Sequence, residues 1–102
     1  MSQQEQQPAG SPGQVQVKIS DEILRGVYAN MVQIGHGSEE FILDFMSLFP
    51  PSGTVNARVI VSPSHFKRIV KAMEDNLKQY EQKFGTISLA VVPDQQIGFK
   101  TE

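Results

Sequence analysis

Ser62 to Gly85 reads SPSHFKRIVKAMEDNLKQYEQKFG, and its two ends punctuate one long helix. A serine hydroxyl at Ser62 can accept a hydrogen bond from the free N–H groups of a first turn. Pro63 suits the first helical position, where its missing N–H costs nothing. Gly85 is the expected left-handed stop. Between these ends Phe66, Val70, Met73, Leu77, Tyr80 and Phe84 step 4-3-4-3-4, with Ile69 beside them. That spacing predicts one apolar stripe along a helix of roughly 30 Å. Lys67, Arg68, Lys71, Glu74, Asp75, Lys78 and Glu81 fall off the stripe, and Glu74 with Lys78 makes an i,i+4 pair.

Upstream the period changes from helical to alternating. Thr54 to Val61, TVNARVIV, reads as a strand with Val55, Ala57, Val59 and Val61 on one face and Asn56, Arg58 and Ile60 on the other. Pro50-Pro51-Ser52-Gly53 separates it from Glu39 to Phe49, because proline lacks the donor a ladder needs. In that earlier strand Phe41, Leu43, Phe45 and Phe49 form one row. Ile42, Met46 and Leu48 form the other, interrupted by Asp44. Gly35-His36-Gly37-Ser38 reads as a turn whose glycines are free to take positive φ. Val27 to His36 reads as a further strand, with Tyr28, Val32 and Ile34 against Val27, Ala29 and Met31. Val15 to Ser20 alternates apolar and polar and reads as the first strand. Ser20 could cap a single helical turn ended by Gly26; a bulged connection is the plainer alternative.

The outer segments are different. Residues 1–14, MSQQEQQPAGSPGQ, hold five glutamines and almost nothing to bury, which predicts a disordered tail. Thr86 to Val92 reads as a short extended arm, and residues 93–102 as a flexible tail with Ile97 and Phe99 as anchors. One α+β domain over residues 15–92 is the expected organisation, with an antiparallel sheet of about four strands before one long helix. The chain has 102 residues, no cysteine and a net charge of −2. Disulfides, thiolate metal sites and a cysteine nucleophile are thereby excluded. The charge is too small to suggest a nucleic-acid or membrane partner. No basic and apolar leader is visible and no apolar run could span a bilayer, so a cytoplasmic protein is expected.

Self-association follows from the strand pattern. One helix covers one face of such a sheet, yet three of the strands carry apolar residues on both faces. Burial is worth about 25 cal/mol per Å², so covering the second face would contribute roughly 5–10 kcal/mol gross. A second copy related by two-fold symmetry is the simplest cover, giving a dimer or tetramer. The residues expected at that interface or in the core are Phe41, Leu43, Phe45, Val59, Val61, Phe66, Val70, Met73, Leu77 and Tyr80. The heptad-like stripe offers a second contact, helix against helix, although packing on the sheet is its plainer use.

Few residues suggest chemistry. His36 beside Glu39 and Glu40 could bind a metal or move a proton, but a turn before a solvated strand start explains it as well. Its Gly-x-Gly lacks the further glycine and the lysine of a phosphate loop. His65 near Ser62 and Ser64 has no acid or oxyanion device in view, and helix capping is the better reading. Asp44, inside an apolar strand, is either a desolvated acid or the partner of Arg58 or Arg68 in a buried ion pair across an interface; the pair is favoured. Lys67, Lys71 and Lys78 could touch phosphates, though such a row is usually a solvated helix face. No catalytic residue, metal or cofactor is expected. The expected partners are the chain itself and other polypeptides, with nucleic acid disfavoured and no membrane.

Several motifs in fixed order carry a resemblance. Gly26-Val27-Tyr28-Ala29-Asn30, Glu40-Phe41-Ile42-Leu43-Asp44-Phe45 and Ala57-Arg58-Val59-Ile60-Val61-Ser62-Pro63 come first. The helix from Lys67-Arg68 through Asp75-Asn76 and Tyr80-Glu81 to Phe84-Gly85 completes them. Over about Val15 to Ile87 the chain resembles the prokaryotic domain-of-unknown-function family 3467. That implies a small bacterial protein and no activity. The order of four strands and a long helix is also similar to the export chaperone SecB, a likeness of element order alone.

Overall fold

A computed structural model of the chain describes residues 13–89 and 97–101. The order of elements is α1 (Asp21–Arg25), β1 (Met31–His36), β2 (Phe41–Phe49), β3 (Ser52–Val61) and α2 (Pro63–Phe84). The fold is α+β: an antiparallel sheet followed by a long C-terminal helix. Residues 1–61 and 62–102 form two compact units.

In the first unit the strands pair in the order β1-β2-β3. Among the described residues three strands form, not the expected four. Val15 to Ser20 is not a strand, and Val15 and Val17 are 78% and 83% exposed. Alternation only permits a strand; a regular ladder with a neighbouring strand must also form, and the sheet's ladders are those of β1 with β2 and β2 with β3. The likeness to SecB in element order loses one strand with it. β1 begins at Met31, four residues later than expected; just before it the Asn30 N–H still donates to the Met46 carbonyl at 3.0 Å. Ser20 does cap a helical turn: its Oγ accepts from the Ile23 N–H at 3.2 Å, and Gly26 ends the turn at φ +76°.

β1 and β2 meet in register Val32↔Phe45, Ile34↔Leu43 and His36↔Phe41. Gly35 and His36 belong to the strand, and the turn closes later, with the Gly37 N–H donating to the Glu40 carbonyl at 3.0 Å. Neither Gly35 nor Gly37 takes positive φ. β2 and β3 are joined by the two residues Pro50 and Pro51, whose peptide bond is cis. Gly53 lies opposite Leu48, where a Cβ would come within 2.8 Å of the leucine methyl, so a side chain there would require the Leu48 side chain to move. The register slips between Phe45, which pairs with Ala57, and Met46, which pairs with Val55. Asn56 is the extra residue of that bulge. Leu43 and Met46, 5% and 3% exposed, are the buried apolar residues among those described, and both lie on β2.

The second unit contains α2, bounded as the sequence dictates. The Ser62 Oγ accepts from the His65 N–H at 3.2 Å, Pro63 occupies the first turn, and the Gly85 N–H donates to the Glu81 carbonyl at 2.9 Å. Gly85 has φ +101° and ψ 163°, a positive φ but not the left-handed helical conformation. None of the helix's residues is buried. Beyond it, residues 86–89 and 97–101 carry neither helix nor strand. The expected N-terminal tail up to residue 12 and the stretch 90–96 lie outside the described residues.

Candidate functional site

The register sorts the sheet into two unlike faces. Val32, Ile34, His36, Phe41, Leu43, Phe45, Ala57, Val59 and Val61 share one. On it the middle strand is covered and the outer strands are open: Leu43 is buried, Phe41, Phe45, Ala57 and Val61 are half-buried, and Val32, Ile34 and Val59 are exposed. Among the described residues the sheet's edges are open too, since β1 and β3 each pair on one side only. Ser52–Val61 carries a single charged residue, Arg58, so the outer edge of β3 has little of the charge that usually blunts such an edge.

The opposite face has a polar centre. Gln33, Asp44 and Arg58 lie in one row across the three strands. Arg58 donates to Asp44 at both ends, Nε to Oδ1 at 2.7 Å and Nη2 to Oδ2 at 2.9 Å. This bidentate geometry is the strongest form of the interaction. The carboxylate is covered and the guanidinium is not: side-chain exposures are 8% and 55%. The pair closes within one chain, between neighbouring strands, with Arg58 rather than Arg68 as the partner. The hydrogen bond from Arg58 holds the Asp44 carboxyl below its ordinary value, against the opposing effect of burial. Asp44 in turn raises the Arg58 guanidinium above its own. An acid stabilised in its charged form is a structural anion and a poor proton donor at neutral pH.

A second polar cluster had no counterpart in the sequence reading. The Asn30 side chain donates to the Leu48 carbonyl at 3.1 Å and accepts from the Leu48 N–H at 2.8 Å, standing in for a backbone pair. Asn56, swung out by the bulge, donates to the Tyr28 carbonyl at 2.7 Å and to the Ser47 Oγ at 2.8 Å. The Ser47 hydroxyl donates to the same Tyr28 carbonyl at 3.3 Å. Together with the Asn30 N–H, which donates to the Met46 carbonyl at 3.0 Å, these bonds tie residues 28–30, just before β1, to β2 and β3. The signal that could have found them is Asn30 itself, a polar residue just before an apolar strand.

The remaining candidates are dispersed. His36 packs its ring against Phe41, centroids 5.5 Å apart. Among the described residues no group of three or more His, Asp or Glu side chains could hold a metal ion. His65 supplies its backbone N–H to the Ser62 cap. Of the three lysines read as phosphate contacts, Lys71 is held by Asp75, its Nζ donating to both carboxylate oxygens at 3.0 and 3.2 Å. On α2 the stripe residues Val70, Met73, Leu77 and Tyr80 are exposed and Phe66 is half-buried. No described helix is long and apolar enough to cross a membrane.

The model of the family described as "Protein of unknown function (DUF3467)" matches residues 1–89. The chain belongs to this family. The match reaches further toward the N-terminus than the resemblance did, taking in residues 1–14 as well. No curated protein and no solved structure matches the chain. The segments that carried the resemblance hold the Asp44–Arg58 pair of this DUF3467 protein and, of the second cluster, Tyr28 and Asn30, whose partners Ser47, Leu48 and Asn56 lie between the quoted segments.

Proposed function

We propose that this DUF3467 protein is a non-enzymatic, homo-oligomeric protein-binding module, chaperone-like in offering apolar surface to other polypeptides in the cytoplasm. The observation that carries the reading is the sheet face on which Val32, Ile34 and Val59 stand exposed beside two open strand edges. An extended polypeptide can use both features at once. Its backbone pairs with the free edge, and every second side chain lies on the apolar face. Such recognition is tolerant of sequence, because most of the hydrogen bonds go to main chain.

The test uses the full chain and a reduced, alkylated model polypeptide that cannot fold. Binding is expected at micromolar concentration, and Ile34→Glu is expected to weaken it at least tenfold while the far-ultraviolet spectrum stays unchanged. A chain that neither binds this polypeptide nor slows aggregation of a heated model protein is not such a module. Nucleic-acid contact through Lys67, Lys71 and Lys78 is the weaker reading, since Asp75 already holds one of the three. It requires an affinity that falls steeply with salt.

A further inference from the structure

From Val70 onward the apolar stripe of α2 is exposed: Val70 is 40% exposed, Met73 57%, Leu77 48%, Tyr80 50% and Phe84 65%; Phe66, at its start, is half-buried. The Tyr80 and Phe84 rings lie 5.0 Å apart, so the stripe is continuous at its C-terminal end. A helix that buries none of its residues has local capping to hold it and a wide apolar face left over. The 4-3 spacing fits that face to another helix of the same kind.

The flanking charges choose the orientation. In heptad terms Phe66, Met73 and Tyr80 occupy d, and Val70, Leu77 and Phe84 occupy a. Lys67, Glu74 and Glu81 then occupy e, and Ile69, Asn76 and Lys83 occupy g. In a parallel pair each g faces the e of the next heptad, which sets Ile69 against Glu74 and Asn76 against Glu81. Neither is an ion pair. In an antiparallel pair e faces e and g faces g. With Met73 layered on Leu77, Val70 on Tyr80 and Phe66 on Phe84, Lys67 meets Glu81 of the second copy at both ends. Glu74 meets its own equivalent at the two-fold axis. Among the described residues no ion pair holds Lys67 within its own chain, whereas Lys71 is held by Asp75. The Glu81 carboxylate is steered by the Ile87 N–H, which donates to its Oε2 at 2.9 Å, and its other oxygen has lone pairs to spare.

We propose that α2 pairs antiparallel with α2 of a second copy, in the register that sets Lys67 against Glu81. This deepens the self-association part of the reading above and rests on it. Each copy brings Val70, Met73, Leu77, Tyr80 and Phe84, all 40–65% exposed, to the seam, and the two rings offer the largest contact surfaces among them.

Charge reversal tests the register. In sedimentation of the full chain, Lys67→Glu and Glu81→Lys each weaken association roughly tenfold, since two attractions become two repulsions. The double variant restores it to within roughly threefold. Circular dichroism checks that each variant keeps its helix. Because the chain has no cysteine, Glu74→Cys gives a disulfide-linked dimer under mild oxidation, and Lys78→Cys, on the outer side of the helix, does not. A dimer indifferent to both charge swaps overturns the register but leaves self-association and polypeptide binding standing. A chain that stays single at micromolar concentration overturns both the pairing and the oligomeric reading.

Discussion

β2 and α2 are both rich in apolar residues, and they use them in opposite ways. β2, nine residues long, holds every residue classed as buried among those described: Leu43, Asp44 and Met46. α2, twenty-two residues long, holds none. The strand is defined by neighbours on both sides, and its side chains are covered as a consequence. The helix is defined by its ends and its internal hydrogen bonds, which form whether or not the apolar stripe is covered. Apolar content therefore does not mark the core of this chain. Position in the ladder does, and the apolar surface left on α2 and on the outer strands is available for association.

The largest effect expected is the contrast between two leucines. Leu43→Ala removes a covered side chain and leaves a cavity, at a cost of about 2–5 kcal/mol. That is a large share of what a small domain has to lose. Leu77→Ala removes an exposed one, and in the separated chain the cost stays within about 0.5 kcal/mol. Urea denaturation over a hundredfold range of protein concentration distinguishes the two. Leu43→Ala lowers the midpoint at every concentration, whereas the deficit of Leu77→Ala grows as copies associate. If Leu77→Ala costs as much as Leu43→Ala in dilute solution, the division between strand and helix is wrong.

Asp44 sharpens the same contrast through pH. Its carboxyl is held below the ordinary value by the Arg58 hydrogen bond, so the charged form favours the folded chain. The stabilisation is fully present above the unfolded-state value, about 3.9, and is lost as pH falls through the lower folded-state value. Wild type is therefore more stable than Asp44→Asn at pH 7. The gap starts to close below about pH 4 and disappears once the folded carboxyl protonates. Denaturation midpoints of the two proteins at pH 7, 4 and 2.5 measure it. A gap that does not change with pH would mean that the Arg58 pair contributes nothing beyond what a neutral amide can supply.

What could be read from the sequence follows the same division. α2 was legible to the residue because Ser62, Pro63 and Gly85 act locally and the 4-3 spacing needs no partner. β2 and most of β3 were legible from a period of two, but the bulge at Asn56 breaks it: Val55 pairs with Met46 and lies on the face opposite Ala57, Val59 and Val61, with which the alternation had grouped it. Val15 to Ser20 was misread because a ladder depends on where other strands lie, and that information is not in the segment. The bulge at Asn56 was invisible for a related reason: one extra residue is defined only against its partner strand. Asn30 was passed over because it lay inside the strand expected over Val27 to His36, whereas β1 begins only at Met31 and the Asn30 side chain takes the place of a backbone pair. Asp44 with Arg58 stood out, since a carboxylate among apolar neighbours has few stable fates, and the pairing register decided which arginine it met. Met46, absent from the residues expected at the interface or in the core, is buried on the face that carries Asp44.

The smallest predicted effect tests whether the helix really rests on its ends. Ser62→Ala removes the acceptor for the His65 N–H and costs about 1 kcal/mol. Pro63 keeps the first turn's φ in place, and the Phe66 N–H still has the Ser62 carbonyl, so the helix shortens rather than melts. Amide exchange should quicken at residues 64–67, while protection of the β2 amides remains that of the wild type. The fraying reaches Phe66 and Lys67, one end of the stripe and one half of the proposed ion pair, so association weakens slightly as well. Uniform loss of protection along α2 and β2 together would mean that cap, stripe and sheet answer to one cooperative transition, and that the helix owes its stability to something other than its own termini.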